Sequence, residues 1–340
     1  MARRCLFAAG ARNRAAPVEA TGAPMSRPKP HEQALISVAQ MRYENGMAQN
    51  EIARSLGMSE ATVSRYLKLA MELGIVEIRV ATRAFRNKEL EARLMQRFGL
   101  ATAIVVDRRP NDGAIVQLLG NAVFRGIEDL VINDTVIGVS NGETVAGVAA
   151  AGRLIRAENL SVVTLIGGIG RAEEASQTGE VCRTLARRIG ARAWVLPVPA
   201  VVDTAEAAEA LRSTSGVRDV FELIDRLSIA VVGIGAMVPG TSTFRHGLFT
   251  EERLQQMIAG GAVGSICGRF YNADGQVLHS DVEARTLSLS LDALSNVAFR
   301  IAVALGTEKV PAIRAAMRGR IVNALGTDAE TASALCGGQD

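Results

Sequence analysis

"QNEIARSLGMSEATVSRYLK", residues 49–68, has the pattern of two short helices joined by a tight turn. Ile52, Ala53 and Leu56 share the inner face of the first helix, and Val63, Leu67 and Ala70 continue the apolar stripe beyond the turn, with Tyr66 beside it. Ala53 is small enough to let a second helix approach closely. Gly57 stands at the turn, where a positive φ is cheap only for glycine. Met58 plugs the turn from inside, and Ser59 is placed to cap the second helix. The outward residues are Gln49, Ser59, Glu60, Thr62, Ser64, Arg65 and Lys68. Short, polar or cationic side chains on one helix face are what reaching phosphates and base edges in a major groove requires. An ordinary αα-hairpin needs no such combination of small residue, glycine turn, cap and polar face, so the pair is taken as a helix-turn-helix with operator DNA as its partner. Glu51 and Glu60 dilute the positive patch, so tight binding calls for more than one copy of the chain.

Outward from this pair, a helix is expected from about His31 to Asn45, with Leu35, Val38 and Ala39 on its apolar face and Gly46 as its stop. On the other side "IVEIRV" (75–80) alternates as a short strand. A DNA-binding domain over 31–82, a linker over 83–91 and a helix from about Asn87 to Phe98 closed by Gly99 follow. Residues 1–30 hold six basic residues (Arg3, Arg4, Arg12, Arg14, Arg27, Lys29) against Glu19. They are expected to be a disordered tail or to lie upstream of a true start at Met25.

Beyond residue 100 the period changes. Apolar runs at 102–107, 135–140, 161–167, 193–198, 228–235, 265–272, 300–306 and 321–327 are candidate strands. Helical patterns fill the gaps at 112–129, 144–157, 178–189, 204–214, 250–259 and 308–318. Strand and helix in alternation imply right-handed crossovers and a doubly wound α/β sheet over 92–336. With 48% hydrophobic but only 4% aromatic residues, the core must be built from Val, Ile, Leu and Ala. The formal net charge of +3 over 340 residues says little about partners, so any DNA contact must come from a local patch.

The four cysteines (Cys5, Cys182, Cys267, Cys336) and three histidines (His31, His246, His279) are scattered, which offers neither a zinc site nor a disulfide framework. A reduced, cytoplasmic setting is expected. No apolar run reaches the ~20 residues of a membrane helix, so no membrane partner is expected.

"LISVAQMRYENGMAQNEIARSLGMSEATVSRYLKLAMELGIVEIRV" resembles the N-terminal domain of SorC-type (SorC/DeoR-like) sugar-binding transcriptional regulators. "VIGVSNGETV" (136–145), "LIGGIG" (165–170) and "GAVGSICGRFYNADG" (261–275) resemble later parts of that family in the same order, and residues 300–336 are similar to its C-terminal stretch. The resemblance covers roughly residues 32–336. It implies a sugar-phosphate-isomerase-like sensor domain, a tetrameric assembly and a phosphorylated sugar or polyol as effector. It also implies a last helix and strand after the turn at 306–309. Two segments depart from the family pattern. Asn141 and Glu143 stand in the first loop, and Ser265 stands where many members carry an acidic residue that meets sugar hydroxyls.

Four glycine-containing loops follow expected strands: "SNGET" (140–144), "GGIGR" (167–171), "GIGAM" (233–237) and "GTEK" (306–309). Glycine ends strands in many α/β proteins, but four such loops at corresponding strand ends favour a pocket there. Turn amides and helix N-termini attract anions. Arg171 and Lys309 are the candidate phosphate ligands, with Ser140, Asn141, Gly142, Glu143, Thr144, Gly167, Gly168, Gln177, Gly235 and Ser265 as the remaining effector residues. Neither "GGIGRAEE" nor "GIGAMVPG" completes a dinucleotide fingerprint, so no nicotinamide cofactor is expected, nor any other. The rival to a regulator is a sugar-phosphate isomerase or deaminase with an accessory helical domain. Asp203, Asp274, Asp281, Glu283 and His246 supply acid–base groups, but they form no catalytic constellation in the sequence, and no enzyme is expected.

Overall fold

A computed structural model describes residues 32–76, 86–107, 115–169, 176–239 and 249–337. The chain divides into two compact units, Met1–Val80 and Ala81–Asp340.

The first unit holds α1 (Glu32–Tyr43), α2 (Gln49–Leu56) and α3 (Glu60–Glu72). Val38, Ile52, Ala53, Val63 and Leu67 form its core, and Leu35, Ala39 and Ala70 a second cluster between α1 and α3. Leu56 corrects one expectation. It is 37% exposed rather than on the inner face, because Gly57 turns the chain away immediately after it with φ 62°. The strand expected at 75–80 lies largely outside the described residues.

The second unit opens with α4 (Lys88–Phe98), capped by the Asn87 side chain and closed by Gly99 at φ 64°. Residues 88–91 of the expected linker thus lie in this helix, which packs on β1. Seven parallel strands follow: β1 (Thr102–Val106), β2 (Val136–Val139), β3 (Ser161–Thr164), β4 (Arg192–Trp194), β5 (Ile229–Gly233), β9 (Phe299–Val303) and β10 (Ala324–Asp328). Their order across the sheet is β1-β10-β9-β5-β2-β3-β4. Apolar clusters cover both faces, with Val105, Val163, Val232 and Leu325 on one and Ile104, Val162, Val231 and Val303 on the other. Consecutive buried residues thus feed opposite layers, as a parallel sheet under two helical layers demands.

The helices of these layers include α5 (Ile115–Glu128), α6 (Glu143–Ala150), α7 (Thr178–Ile189), α8 (Ala205–Arg212) and α9 (Ser215–Ile224). α5 and α6 approach so closely that a Cβ on Gly120 would lie 2.3 Å from the carbonyl oxygen of Gly147. Further along the chain come α10 (Glu251–Ala259), α11 (Asp281–Arg285), α12 (Leu291–Ser295), α13 (Val310–Arg318) and α14 (Ala329–Gly337). The helix α14 follows β10, so the strand expected at 321–327 is not the final element.

The run expected as one strand at 265–272 is a hairpin. Cys267 and Gly268 both take positive φ, 51° and 73°, and reverse the chain between β7 (Gly264–Ile266) and β8 (Arg269–Tyr271). With β6 (Gly235–Ala236) they form a separate antiparallel sheet, β6-β7-β8.

Sheet order fixes where a ligand can sit. From β2 the chain winds outward to β3 and β4, then returns beside β2 at β5 and winds the other way to β9 and β10. The crevice of such a sheet opens beyond the carboxyl ends of the strands at this reversal.

Candidate functional site

In the first unit the turn is built by backbone chemistry. The Gly57 and Met58 amides both donate back into α2, Met58 to the Ala53 carbonyl at 3.0 Å. Ser59 caps α3 by accepting from the Thr62 amide at 3.2 Å, and the Ser59 and Thr62 hydroxyls bond each other at 2.9 Å. At the start of α2, Glu51 accepts from the Ala48 amide at 2.7 Å. Gln49, Ser59, Glu60, Ser64, Arg65 and Lys68 are exposed. Thr62 is half-buried and its hydroxyl is engaged by Ser59, so it belongs to the cap more than to the open face. Glu60, Ser64 and Lys68 are spaced at i, i+4 and i+8, one stripe along α3, with Arg65 beside it. The Arg65 guanidinium lies 5.8 Å from the Tyr66 ring centre, and Lys68 is 3.9 Å from Glu72. Both contacts are solvated and weak, which leaves both cations available to a polyanion.

In the second unit three strand ends meet at the sheet reversal. The Ser140 hydroxyl accepts from the Gly233 amide at 2.9 Å, which joins the end of β2 to the end of β5. Thr144, in the first turn of α6, donates its hydroxyl to the Val303 carbonyl at 2.7 Å, which joins the same loop to the end of β9. Gly142 begins α6 with φ 119°, a conformation that a side chain would strain, and no side chain caps the helix. Asn141 is half-buried and Glu143 exposed. The turn after β9 runs through Gly306, at φ 106°, to a single 3-10 turn Thr307–Lys309, and the half-buried Lys309 leads directly into α13. Residues Ser140–Thr144, Gly235 and Lys309 are thus gathered at one end of the sheet.

Other expected ligands are committed elsewhere. The Gly167 amide donates to the Leu287 carbonyl at 3.0 Å and the Gly168 amide to the Val198 carbonyl at 2.8 Å. Gln177 is buried, and its side-chain oxygen accepts from the Ile169 amide at 3.3 Å. This loop is therefore pinned by neighbouring segments and does not offer Gly167 and Gly168 as anion donors. Ser265 is buried in β7, paired with Gly235 on one side and Phe270 on the other. Arg171 and His246 lie outside the described residues.

Three of the acid–base candidates, Asp274, Asp281 and Glu283, face cationic side chains, and Asp203 is exposed. Asp281 pairs with Arg253 and Arg285, and Asp274 stands 3.8 Å from Arg318. Glu283 meets both His279 at 3.0 Å and the buried Arg269 at 3.3 Å. Arg269 also donates to four carbonyls, those of Glu283, Thr286, Ser288 and Leu289, and so straps β8 to residues 283–289. Burial lowers the affinity of its guanidinium for its proton, with the Glu283 carboxylate opposing. Burial also pushes the Cys182 and Cys267 thiols up to about 12, which leaves them inert as nucleophiles at neutral pH.

Two residues missed by pattern reasoning matter here. Asp328, buried at the end of β10, accepts from the Thr331 amide at 2.8 Å and from the Gly306 amide at 3.4 Å. The spacing Asp-x-x-Thr before an apolar run was the available signal. Glu91, 4% exposed, receives Arg86 at 2.6 Å, Lys88 at 3.0 Å and the Val105 amide at 3.0 Å. Nothing local marks it, because its last partner lies fourteen residues away on a strand.

Comparison with known proteins bears on both regions. The family described as "Putative sugar-binding domain" matches residues 82–336, and the winged helix-turn-helix DNA-binding family matches residues 39–77. The chain is 29% identical over 307 residues to the sorbitol operon regulator of Klebsiella pneumoniae, covering 88% of this chain and 96% of that one. It is 30% identical over 305 residues to the deoxyribonucleoside regulator of Bacillus subtilis (89% and 97% covered). It is also 30% identical over 306 residues to the erythritol catabolism regulatory protein EryD of Brucella abortus (89% and 96% covered). The crystal structure of the full-length sorbitol operon regulator SorC from Klebsiella pneumoniae superposes with a TM-score of 0.70 at 28% identity, covering 91% of this chain and all of that one. These relatives are transcriptional regulators, not enzymes.

Proposed function

The chain belongs to the SorC-type family of sugar-binding transcriptional regulators, and from that premise we propose that it controls a carbohydrate catabolic operon in response to a phosphorylated sugar or polyol. One observation carries this reading. A helix-turn-helix with an exposed polar and cationic face shares a chain with a sugar-binding α/β domain, and relatives named as operon and catabolism regulators align over both. In this reading Arg65, Lys68, Ser64, Glu60, Ser59 and Gln49 face operator DNA, with Thr62 supporting the cap. The effector lies at the carboxyl ends of β2, β5 and β9. Its phosphate is drawn to Lys309, with Arg171 as a second cation, while its carbon chain meets Asn141, Glu143 and Thr144. Lys309 supports the phosphate, since an ammonium at a helix start adds its full charge to the helix dipole. A single helix pair with a dilute patch reads too few base pairs for specific binding, so the working form is a homodimer or homotetramer acting in the cytoplasm, where its operator is.

The test is a selection of genomic fragments by the purified chain, followed by calorimetry with fructose 6-phosphate, glucitol 6-phosphate and their unphosphorylated counterparts. A discrete operator and a preference of tenfold or more for phosphorylated forms is expected, since a charge-assisted hydrogen bond is worth about 1.5–3 kcal/mol. Turnover of any of these compounds by the chain would favour the isomerase reading instead.

A further inference from the structure

The edge of the seven-stranded sheet at β1 is closed by the backbone at Arg86 and Asn87 and by side chains, where a neighbouring strand would otherwise be. Arg86 makes an antiparallel bridge with Val106, and the Asn87 amide donates to the Val105 carbonyl at 2.9 Å. Farther along the same edge the Arg86 guanidinium donates to the Ala103 carbonyl at 3.1 Å, and the Val105 amide donates to the Glu91 carboxylate at 3.0 Å. Arg86 and Glu91 are themselves paired at 2.6 Å. Asn87 works in two directions. Its side-chain oxygen accepts from the Leu90 amide to cap α4, and its side-chain amide donates to Asp107 at 3.1 Å. This cluster begins five residues after Ala81, where the second unit starts.

The other side of β1 leads toward the effector end. Val106 is paired with Asp328, whose carboxylate accepts from the Gly306 amide at 3.4 Å and from the Thr331 hydroxyl at 3.0 Å. Gly306 begins the turn that carries Lys309, and the Lys309 amide closes that turn on the Gly306 carbonyl at 3.1 Å. Bonded contacts therefore run without a gap from Lys309 through Gly306, Asp328, Val106 and Asp107 to Asn87 and Arg86.

We propose that the Arg86–Asn87–Glu91 cluster on the β1 edge is the joint through which the effector end of the sheet and the stretch leading to the DNA-binding unit bias one another. The inference rests on the regulator reading above, and it adds the residues that carry the coupling. A ligand drawn to Lys309 pulls on Gly306, and the buried, multiply bonded Asp328 passes that displacement to the end of β1. A carboxylate as buried and as fully bonded as Glu91 resists sliding, so the displacement reaches the chain entering at Arg86 instead of dissipating along the edge. Asn87 and Glu91 act as positioning residues and touch neither ligand.

Coupling is reciprocal in binding free energy, so the test needs no effector: operator binding must in turn bias the sensor end. The probe is a duplex fragment selected from genomic DNA by the full-length chain, and the readout is amide hydrogen exchange with and without that fragment. Wild-type chain should show a change in exchange of about fivefold or more at residues 104–107 and 306–309. Asn87→Ser keeps a cap for α4 but cannot reach Asp107, and Glu91→Gln keeps the shape while removing the charge. Both should bind the fragment with wild-type affinity and lose the exchange change at 306–309. Arg86→Lys, which keeps a charge facing Glu91 but loses the bond to Ala103, should retain only part of it. If Glu91→Gln does not fold, Asn87→Ser carries the comparison. An undiminished exchange change in Asn87→Ser, or none in the wild type at saturating fragment, overturns the joint. Failure of the wild type to bind any fragment overturns the regulator reading itself, and the joint with it.

Discussion

The recognition face of α3 and the effector end of the sheet were both expected from sequence, yet they are built by opposite means. On α3 the residues proposed to face DNA belong to one helix. The 3.6-residue period sorts Ser64, Arg65 and Lys68 outward and Val63 and Leu67 inward with no help from elsewhere. At the sheet end the bonds that bring the loops together join distant stretches of chain, Ser140 to Gly233 and Thr144 to Val303. The proposed DNA-reading face is written locally, and the proposed effector site is assembled. Substitutions should therefore act on the first through the contact they delete and on the second through the packing they disturb.

The largest effect expected from this contrast is at Gly120. A valine there would drive its side chain into the Gly147 backbone and separate α5 from α6, at a cost of about 3 kcal/mol or more. Thermal melting should show the loss. If Gly120→Val melts like the wild type, the close approach that positions α6 is wrong. Next is Glu91→Ala, which strips the partner from Arg86 and leaves the Val105 amide unpaired. Removing one half of a buried pair costs ~3–5 kcal/mol, and about 2–3 here because Lys88 and part of Arg86 reach water. Chemical denaturation of the full chain should resolve that loss in the transition of the sheet unit.

Effects on the DNA side are smaller and cleaner. Arg65→Ala should weaken operator binding by about 1–3 kcal/mol if Arg65 meets a base edge, and it should leave the melting temperature unchanged. Lys68→Ala should instead flatten the salt dependence of binding by about one unit of slope, as loss of a phosphate contact does. Fluorescence anisotropy on a labelled operator at several salt concentrations separates the two, and wild-type behaviour by both variants would remove α3 from the interface. The smallest effect is at Gly57. A Cβ there would meet nothing within 4 Å, so Gly57→Ala pays only for the left-handed φ of 62°, about 1 kcal/mol.

The same contrast explains what was legible in the sequence. Periodicity gave the pair α2–α3, the alternation of β1 to β5 with α5 to α8 but not α9, and α7 from Thr178 to Ile189, because each of these signals is local. It overlooked the hairpin at Cys267–Gly268, where an unbroken apolar run conceals two residues in positive φ. It overlooked α14 as well, whose short small-residue sequence has a weak apolar stripe. The glycine loops read from the sequence do follow the carboxyl ends of β2, β3, β5 and β9. Which of their amides stay open was not legible, since Gly167 and Gly168 are consumed by Leu287 and Val198, partners no nearby pattern announces.

The central claim is that a sugar-binding unit governs a DNA-reading unit in one chain. It is tested most directly by titrating the full-length chain on its selected operator with glucitol 6-phosphate, fructose 6-phosphate and the corresponding unphosphorylated compounds, alongside Lys309→Ala. The account predicts that a phosphorylated compound shifts operator affinity at least fivefold in the wild type. Lys309→Ala should need roughly tenfold or more of that compound for the same shift, with unchanged affinity for DNA alone. A chain whose operator affinity is indifferent to every compound, or a Lys309→Ala variant that responds like the wild type, would contradict it.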